Sequence, residues 1–156
     1  MNRNAPLVFH SSGRTGFSNA VDGNPRRVGA RKLAKEIQVR FASSDSPVHT
    51  AEGVVHAKPG DAIITGTSGE HWRVSSAHFP SKYEPVPPTR CGDPGTYRSK
   101  RYRILALPME QPFEVILADG VSRLSGRPGD WLVDYGDGSL GIVSPAIFAT
   151  TYEIVD

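Results

Sequence analysis

The residues best equipped for chemistry form one short run, Glu70-His71-Trp72-Arg73. An indole can stack on a ligand ring, and a neighbouring guanidinium can grip an anion through two parallel hydrogen bonds. On a strand, the same run turns Trp72 inward and leaves the residues beside it outside. Glu84 and Glu153 each follow a tyrosine at matching places in the chain. They could hold a cation or a ligand amine, or pair with basic side chains on a solvated edge. Asp61 and Asp130 each end a Pro-Gly-Asp string. Brought together, two such carboxylates split their pKa values as an acid–base dyad does. Kept apart, each caps its own turn, which is the expectation here. The candidate ligand-binding residues are therefore His71, Trp72, Arg73, Glu84 and Glu153, and no catalytic residue is assigned.

Other chemistries fail on spacing. The histidines stand at 10, 49, 56, 71 and 78, with no His-x-His and no His-Glu-x-x-His. A metal site needs three or four converging ligands, so no metal is expected. Gly66-Thr-Ser-Gly69 could cradle a phosphate, but it lacks the Lys-Ser/Thr ending of a P-loop and reads as a hairpin turn. Neither Gly-x-Ser-x-Gly nor Gly-x-Gly-x-x-Gly occurs, and no cofactor is expected. The single cysteine, Cys91, forbids an intramolecular disulfide. It reads as a surface thiol, because no helix N-terminus is evident there to acidify it.

The elements that must position these residues are short and turn-rich. Glycine and proline supply 16 and 13 of 156 residues, which argues against a helical bundle. No apolar run reaches membrane-spanning length, and the first residues lack a signal-peptide core. The expectation is a cytoplasmic protein with no membrane partner, in the host cytoplasm if phage-encoded.

An internal repeat organises the chain. Residues 59–86 align with 128–155 at a constant offset of 69, with 11 identities in 28 gapless positions. The match extends upstream, where Val48–Gly53 faces Val115–Gly120 once two residues are inserted. Ile37, Val39 and Phe41 alternate, as do Tyr102, Ile104 and Ala106, a strand pattern. Glu52-Gly53 and Asp119-Gly120 are hairpin signals. Ser144 followed by Pro145 opens a helix, and Phe148 and Tyr152, like Phe79 and Tyr83, are four apart on one helical face. The predicted fold is mostly β (α+β): two tandem repeats of about 55 residues, each marginal alone, built of β-hairpins and a short helix. They are expected as small barrel-like lobes with pseudo-twofold symmetry. The expected organisation is a basic arm at 1–31, repeat 1 at 32–86, a Pro/Gly linker at 87–99 and repeat 2 at 100–156.

The repeated unit, Thr50 to Val74 with Phe79 and Tyr83-Glu84, resembles a pattern common in small phage and bacterial proteins. The second copy, Arg127-Pro-Gly-Asp-Trp-Leu-Val-Asp-Tyr-Gly-Asp-Gly138, is similar to the family named for its PGDYG motif, although Trp131–Asp134 interrupts that string here. The resemblance implies a fold unit and no catalytic residue.

Three functions compete. The first is a non-catalytic module that binds a protein or a small anionic ligand, suggested by a duplicated β unit without a catalytic constellation. The second is nucleic-acid binding through the basic head. Residues 1–40 hold eight Lys and Arg, Arg3 among them, against two acids, while the remainder is net acidic. Arg26, Arg27, Arg31, Lys32 and Lys35 would neutralise phosphates. The third is an enzyme acting on a nucleotide or ADP-ribose-like substrate, in which the head and the repeats build one site from His10, Arg14 and a carboxylate. Gly16-Phe-Ser-Asn19 resembles a string at ADP-ribose-handling sites, but the Trp-Pro-x-x-Glu-His motif that accompanies it there is missing. Short edge strands also allow two copies to pair as a homodimer.

Overall fold

The computed structural model describes residues 6–14 and 16–156. Residues 1–5 of the expected arm, with Arg3, lie outside the described residues. The order is β1 (Leu7–His10), α1 (Asn19–Asp22), β2 (Val28–Lys32), β3 (Glu36–Phe41), β4 (Ser46–Thr50), β5 (Gly53–Ala57), β6 (Ala62–Thr65), β7 (His71–Val74), α2 (Phe79–Lys82), β8 (Tyr83–Pro85), β9 (Gly95–Ser99), β10 (Arg103–Pro108), β11 (Phe113–Ile116), β12 (Arg123–Gly126), β13 (Trp131–Asp134), β14 (Leu140–Val143), α3 (Pro145–Thr151) and β15 (Tyr152–Ile154). The protein is mostly β, and the chain divides into two compact units, 33–102 and 1–32 with 103–156.

In the unit 33–102 the sheet order is β7-β6-β3-β9-β8, with β4-β5 as a separate hairpin. In β3 the exposed residues Glu36, Gln38 and Arg40 alternate with buried Ile37 and Val39, as period-2 patterning requires. The core joins Ile37, Val39, Ala62, Ile64, Val74, Phe79, Tyr83 and Tyr97. Phe79 stacks on Tyr83 at 5.2 Å and meets Tyr97 edge-on at 5.1 Å. Both rings pack into the core of the sheet, but the expected shared helical face is corrected: only Phe79 lies in α2, and Tyr83 opens β8 in extended backbone.

In the other unit the sheet order is β14-β13-β10-β2-β15, beside a three-stranded sheet β1-β11-β12. The Ser144 hydroxyl accepts the Ile147 N–H at the start of α3, with Pro145 in the first turn. Trp131, Phe148 and Tyr152 stack in series at 4.2 and 5.2 Å. Here β10 is buried on both faces from Ile104 to Leu107. Residues 6–32, read from the sequence as part of an extended arm, supply β1, α1 and β2, and β2 lies between β10 and β15. Likewise Gly95–Ser99, inside the expected linker, forms β9 between β3 and β8.

None of the sheets closes into a barrel, which corrects the expected barrel-like lobes. The physical reason lies in the hairpins: β4-β5 and β11-β12 leave the main ladders and form sheets of their own, so too few strands remain for closure.

Candidate functional site

Cross-strand register assembles a polar surface on one face of the 33–102 sheet. His71 lies opposite Thr65, Thr65 opposite Gln38, and Gln38 opposite Thr96. Residues in direct register project to the same face, so these four form one rung across four strands. The rung is hydrogen-bonded at both ends: Thr65 Oγ1 is 3.0 Å from His71 Nδ1, and Gln38 Nε2 donates to Thr96 Oγ1 at 3.0 Å. On one side lies Arg73–Ile63–Arg40, and on the other Glu36–Arg98–Glu84. His71, Gln38, Arg40, Glu36, Arg98 and Glu84 are all exposed.

The sequence candidates of this unit fall on two faces of the sheet. His71, Arg73 and Glu84 share this outer face. Trp72 is on the opposite face, packed with Phe41 against the core, so it cannot stack on a ligand held by His71 and Arg73. The Arg73 guanidinium is engaged by buried Asp61 at 3.2 Å. Glu84 lies opposite Arg98. Glu153 is in the other unit, opposite Arg31. Gln38, Thr65, Thr96, Arg40 and Arg98 escaped sequence reasoning. The alternation Glu36-x-Gln38-x-Arg40 is the signal that could have found three residues of the face.

The turn carboxylates act as caps. Asp61 Oδ2 accepts the Lys58 N–H at 2.9 Å, and Asp130 Oδ2 accepts the Arg127 N–H at 3.0 Å. The intervening glycines have φ of 90° and 98°. Each Pro-Gly-Asp therefore closes its own turn.

The basic residues of the head do not form one stripe. Arg26 pairs with Glu110 at 3.1 Å and Arg27 with Asp22 at 3.3 Å. Lys32 is buried, its Nζ 5.1 Å from the centre of the Tyr152 ring. Arg31 faces Arg103 and Glu153 across β2. Lys35 belongs to the unit 33–102, where its backbone N–H donates to Ser99 Oγ.

A second cluster gathers where residues 11–14 and 16–18 dock on the β13–β14 turn. Ser12 and Gly13 donate backbone N–H groups to Gly138 O, and Gly16 to Gly136 O. Ser11 Oγ accepts the Leu140 N–H at 3.0 Å. Asp134, 1% exposed, accepts the Ser18 N–H at 2.6 Å and the Gly136 N–H at 3.0 Å. Burial pushes its carboxyl above the ordinary range. The two amides pull it back, and Asp137 and Asp22 push it further up. Sequence reasoning missed this carboxylate; its one signal is an acid closing the apolar run Trp131-Leu-Val.

The sign of its pH dependence follows. A group whose folded pKa is raised contributes stability below its ordinary pKa and loses that contribution as pH rises through the folded value. The stability advantage of wild type over Asp134→Asn should therefore be greatest at acid pH and shrink as pH rises from about 4 towards 7. Urea melts of both proteins across that range check it. A gap that grows with pH would mean that the fold favours the ionised carboxylate.

Cys91 is exposed, at the rim of a cavity of about 150 Å³ lined by Phe41, Phe79, Tyr83 and Tyr97. Among the described residues, no group of three or more His, Cys, Asp or Glu is placed to hold a metal. No described helix is long and apolar enough to cross a membrane.

Against known proteins, the model of the PGDYG protein family matches residues 53–153. No curated protein and no solved structure matches the chain.

Proposed function

The chain belongs to the PGDYG protein family, and we propose that it serves as a non-catalytic binding module whose recognition surface is the outer face of the 33–102 sheet. The observation that carries this reading is the rung His71–Thr65–Gln38–Thr96, four hydrogen-bonding side chains in register, His71 and Gln38 exposed and Thr65 and Thr96 half-buried. Buried polar side chains in register would need partners from a covering layer. Exposed ones offer donors and acceptors to another molecule.

The charge on this face selects the ligand class. Arg40, Arg73 and Arg98 are balanced by Asp61, Glu36 and Glu84. A surface for a polyanion carries clustered uncompensated charge. A flat face of mixed sign fits a protein surface, where rim charges set orientation more than affinity. A protein is therefore the proposed partner.

A duplicated unit is part of the same reading. It is supported by the 11 identities between 59–86 and 128–155 and by two five-stranded orders that correspond strand for strand, β7-β6-β3-β9-β8 with β14-β13-β10-β2-β15. At the rung's counterpart in the second sheet stand Leu140, Asp134, Leu105 and Gly29, and all four are buried. The same strand positions thus carry a core layer in one unit and an open polar surface in the other.

The test is capture by a photoreactive residue placed at Gln38 in the full chain, in extract of cells that carry the gene. A discrete protein adduct is expected. Purified, that protein should bind a His71→Ala/Thr96→Ala variant about tenfold more weakly or worse than wild type. The variant should lose about 1 kcal/mol of stability or less, since His71 is exposed and the hydrogen bond from Gln38 to half-buried Thr96 is a net contribution of that order. Equal binding by the variant, or no adduct, would remove this face from the proposal.

A further inference from the structure

Strand β1 ends its sheet, bonded to β11 on one side only. In a parallel pair, alternate residues turn their N–H and C=O towards the neighbour. Leu7 and Ser11 donate to Pro112 and Ile116, so Leu7, Phe9 and Ser11 face β11. Val8 and His10 direct their backbone groups to the open edge. Such an edge templates another strand unless charge, proline or a covering element blocks it.

Most of the other end strands carry those blocks; in the β4-β5 hairpin β4 has Pro47, while β5 has neither charge nor proline. β12 has Arg123, β7 has Arg73, β8 has Glu84 and Pro85, and β15 has Glu153. β14 is buried over Leu140–Ile142. β1 contains no Asp, Glu, Lys or Arg, and its Leu7 and Val8 are 43% and 45% exposed. Among the described end strands, β1 and β5 lack a block, and of the two β1 has adjacent exposed apolar residues, since Val55 beside Val54 in β5 is buried.

We propose that β1 is a dimerisation edge, pairing antiparallel with β1 of a second copy of this chain. Self-complementarity is what selects a second copy. A two-fold axis at Phe9 sets Val8 opposite the partner's His10, and His10 opposite the partner's Val8. All the outward groups of both residues are then bonded, in four hydrogen bonds. Phe9, already edge-on to Phe113 at 6.4 Å, meets the partner's Phe9 at the axis. No like charges are opposed, and the same patch serves both chains, as a closed two-fold interface requires. The sheet would run through six strands. This proposal is independent of the recognition face on the 33–102 sheet.

Sedimentation equilibrium of the full chain over about 1–100 µM tests it, with a dimer expected in that range. Val8→Pro deletes only an outward N–H, so the β11 ladder is kept while two of the four interchain bonds are lost. The dimer should weaken about tenfold or more. The double variant Val8→Lys/His10→Lys opposes two lysines at each end of the pairing and should be monomeric, with thermal melting confirming that it still folds. A monomer throughout, or a double variant that dimerises as tightly as wild type, would overturn the proposal.

Discussion

Replacing Tyr97 with alanine should destabilise the protein by about 3–5 kcal/mol, the range for emptying a large aromatic site in a packed core. Tyr97 is fully buried in β9. Its ring meets Phe41 at 6.2 Å and Phe79 at 5.1 Å, both edge-on. Its hydroxyl accepts the Gly92 N–H at 3.0 Å and lies 2.8 Å from Asp93 O and 3.2 Å from Arg90 O, either of which can accept its proton. Burial raises the phenol above its usual pKa, so it stays protonated and able to donate at neutral pH. Tyr97→Phe keeps the ring and deletes the hydroxyl that ties residues 90–93 to the sheet, and should cost about 1–3 kcal/mol. Denaturant unfolding of the two variants separates ring from hydroxyl. If Tyr97→Ala cost no more than an exposed substitution, about 0.5 kcal/mol, β9 would not be part of the core.

Tyr97 also shows what the sequence conceals. The turns and the α3 start were legible because their signals are local: Pro-Gly-Asp closes over a span of three residues, and the Ser144 hydroxyl caps the Ile147 N–H three residues on. β2 and β9 carry no such signal. Their partners lie far along the chain, β2 with β10 and β15, β9 with β3. Val28-Gly-Ala-Arg-Lys and Gly95-Thr-Tyr-Arg-Ser mix small and basic residues without an apolar stripe, so composition alone suggests arm and linker. Long-range pairing overrides local propensity at such strands.

The arrangement of the candidate residues is concealed for a related reason. Alternation separates Trp72 from His71 and Arg73, as the strand reading of the sequence has it. Which of the two faces meets the core depends on Ile64 and Phe41 arriving from other strands. Asp134 is harder still, because the amide it accepts from Ser18 lies 116 residues away.

Gly138→Ala should release residues 11–14 and 16–18 from the β13–β14 turn. Gly138 has φ of 89°, a conformation that costs a side-chain-bearing residue about 1–3 kcal/mol. A Cβ there would also overlap the backbone N and O of Arg14. Backbone cannot step aside as a flexible side chain can, so the Ser12 and Gly13 hydrogen bonds to Gly138 O would have to break. Overpacking adds about 1–3 kcal/mol. Gly69 supplies the control: its φ is 80°, and nothing lies within 4 Å of a Cβ placed on it. Gly69→Ala carries the strain without the clash. The excess loss of stability in Gly138→Ala over Gly69→Ala therefore measures how firmly residues 11–14 and 16–18 are held. Hydrogen exchange should localise it, with protection lost at Ser12, Gly13, Gly16 and Ser18 in the first variant and retained in the second. Ser18 is the informative amide, since its acceptor is the buried Asp134 carboxylate. If it exchanges with the rest, the strap and the carboxylate open as one unit. If it stays protected while Ser12 and Gly13 exchange, the Ser18–Asp134 bond is an anchor independent of the glycine turn.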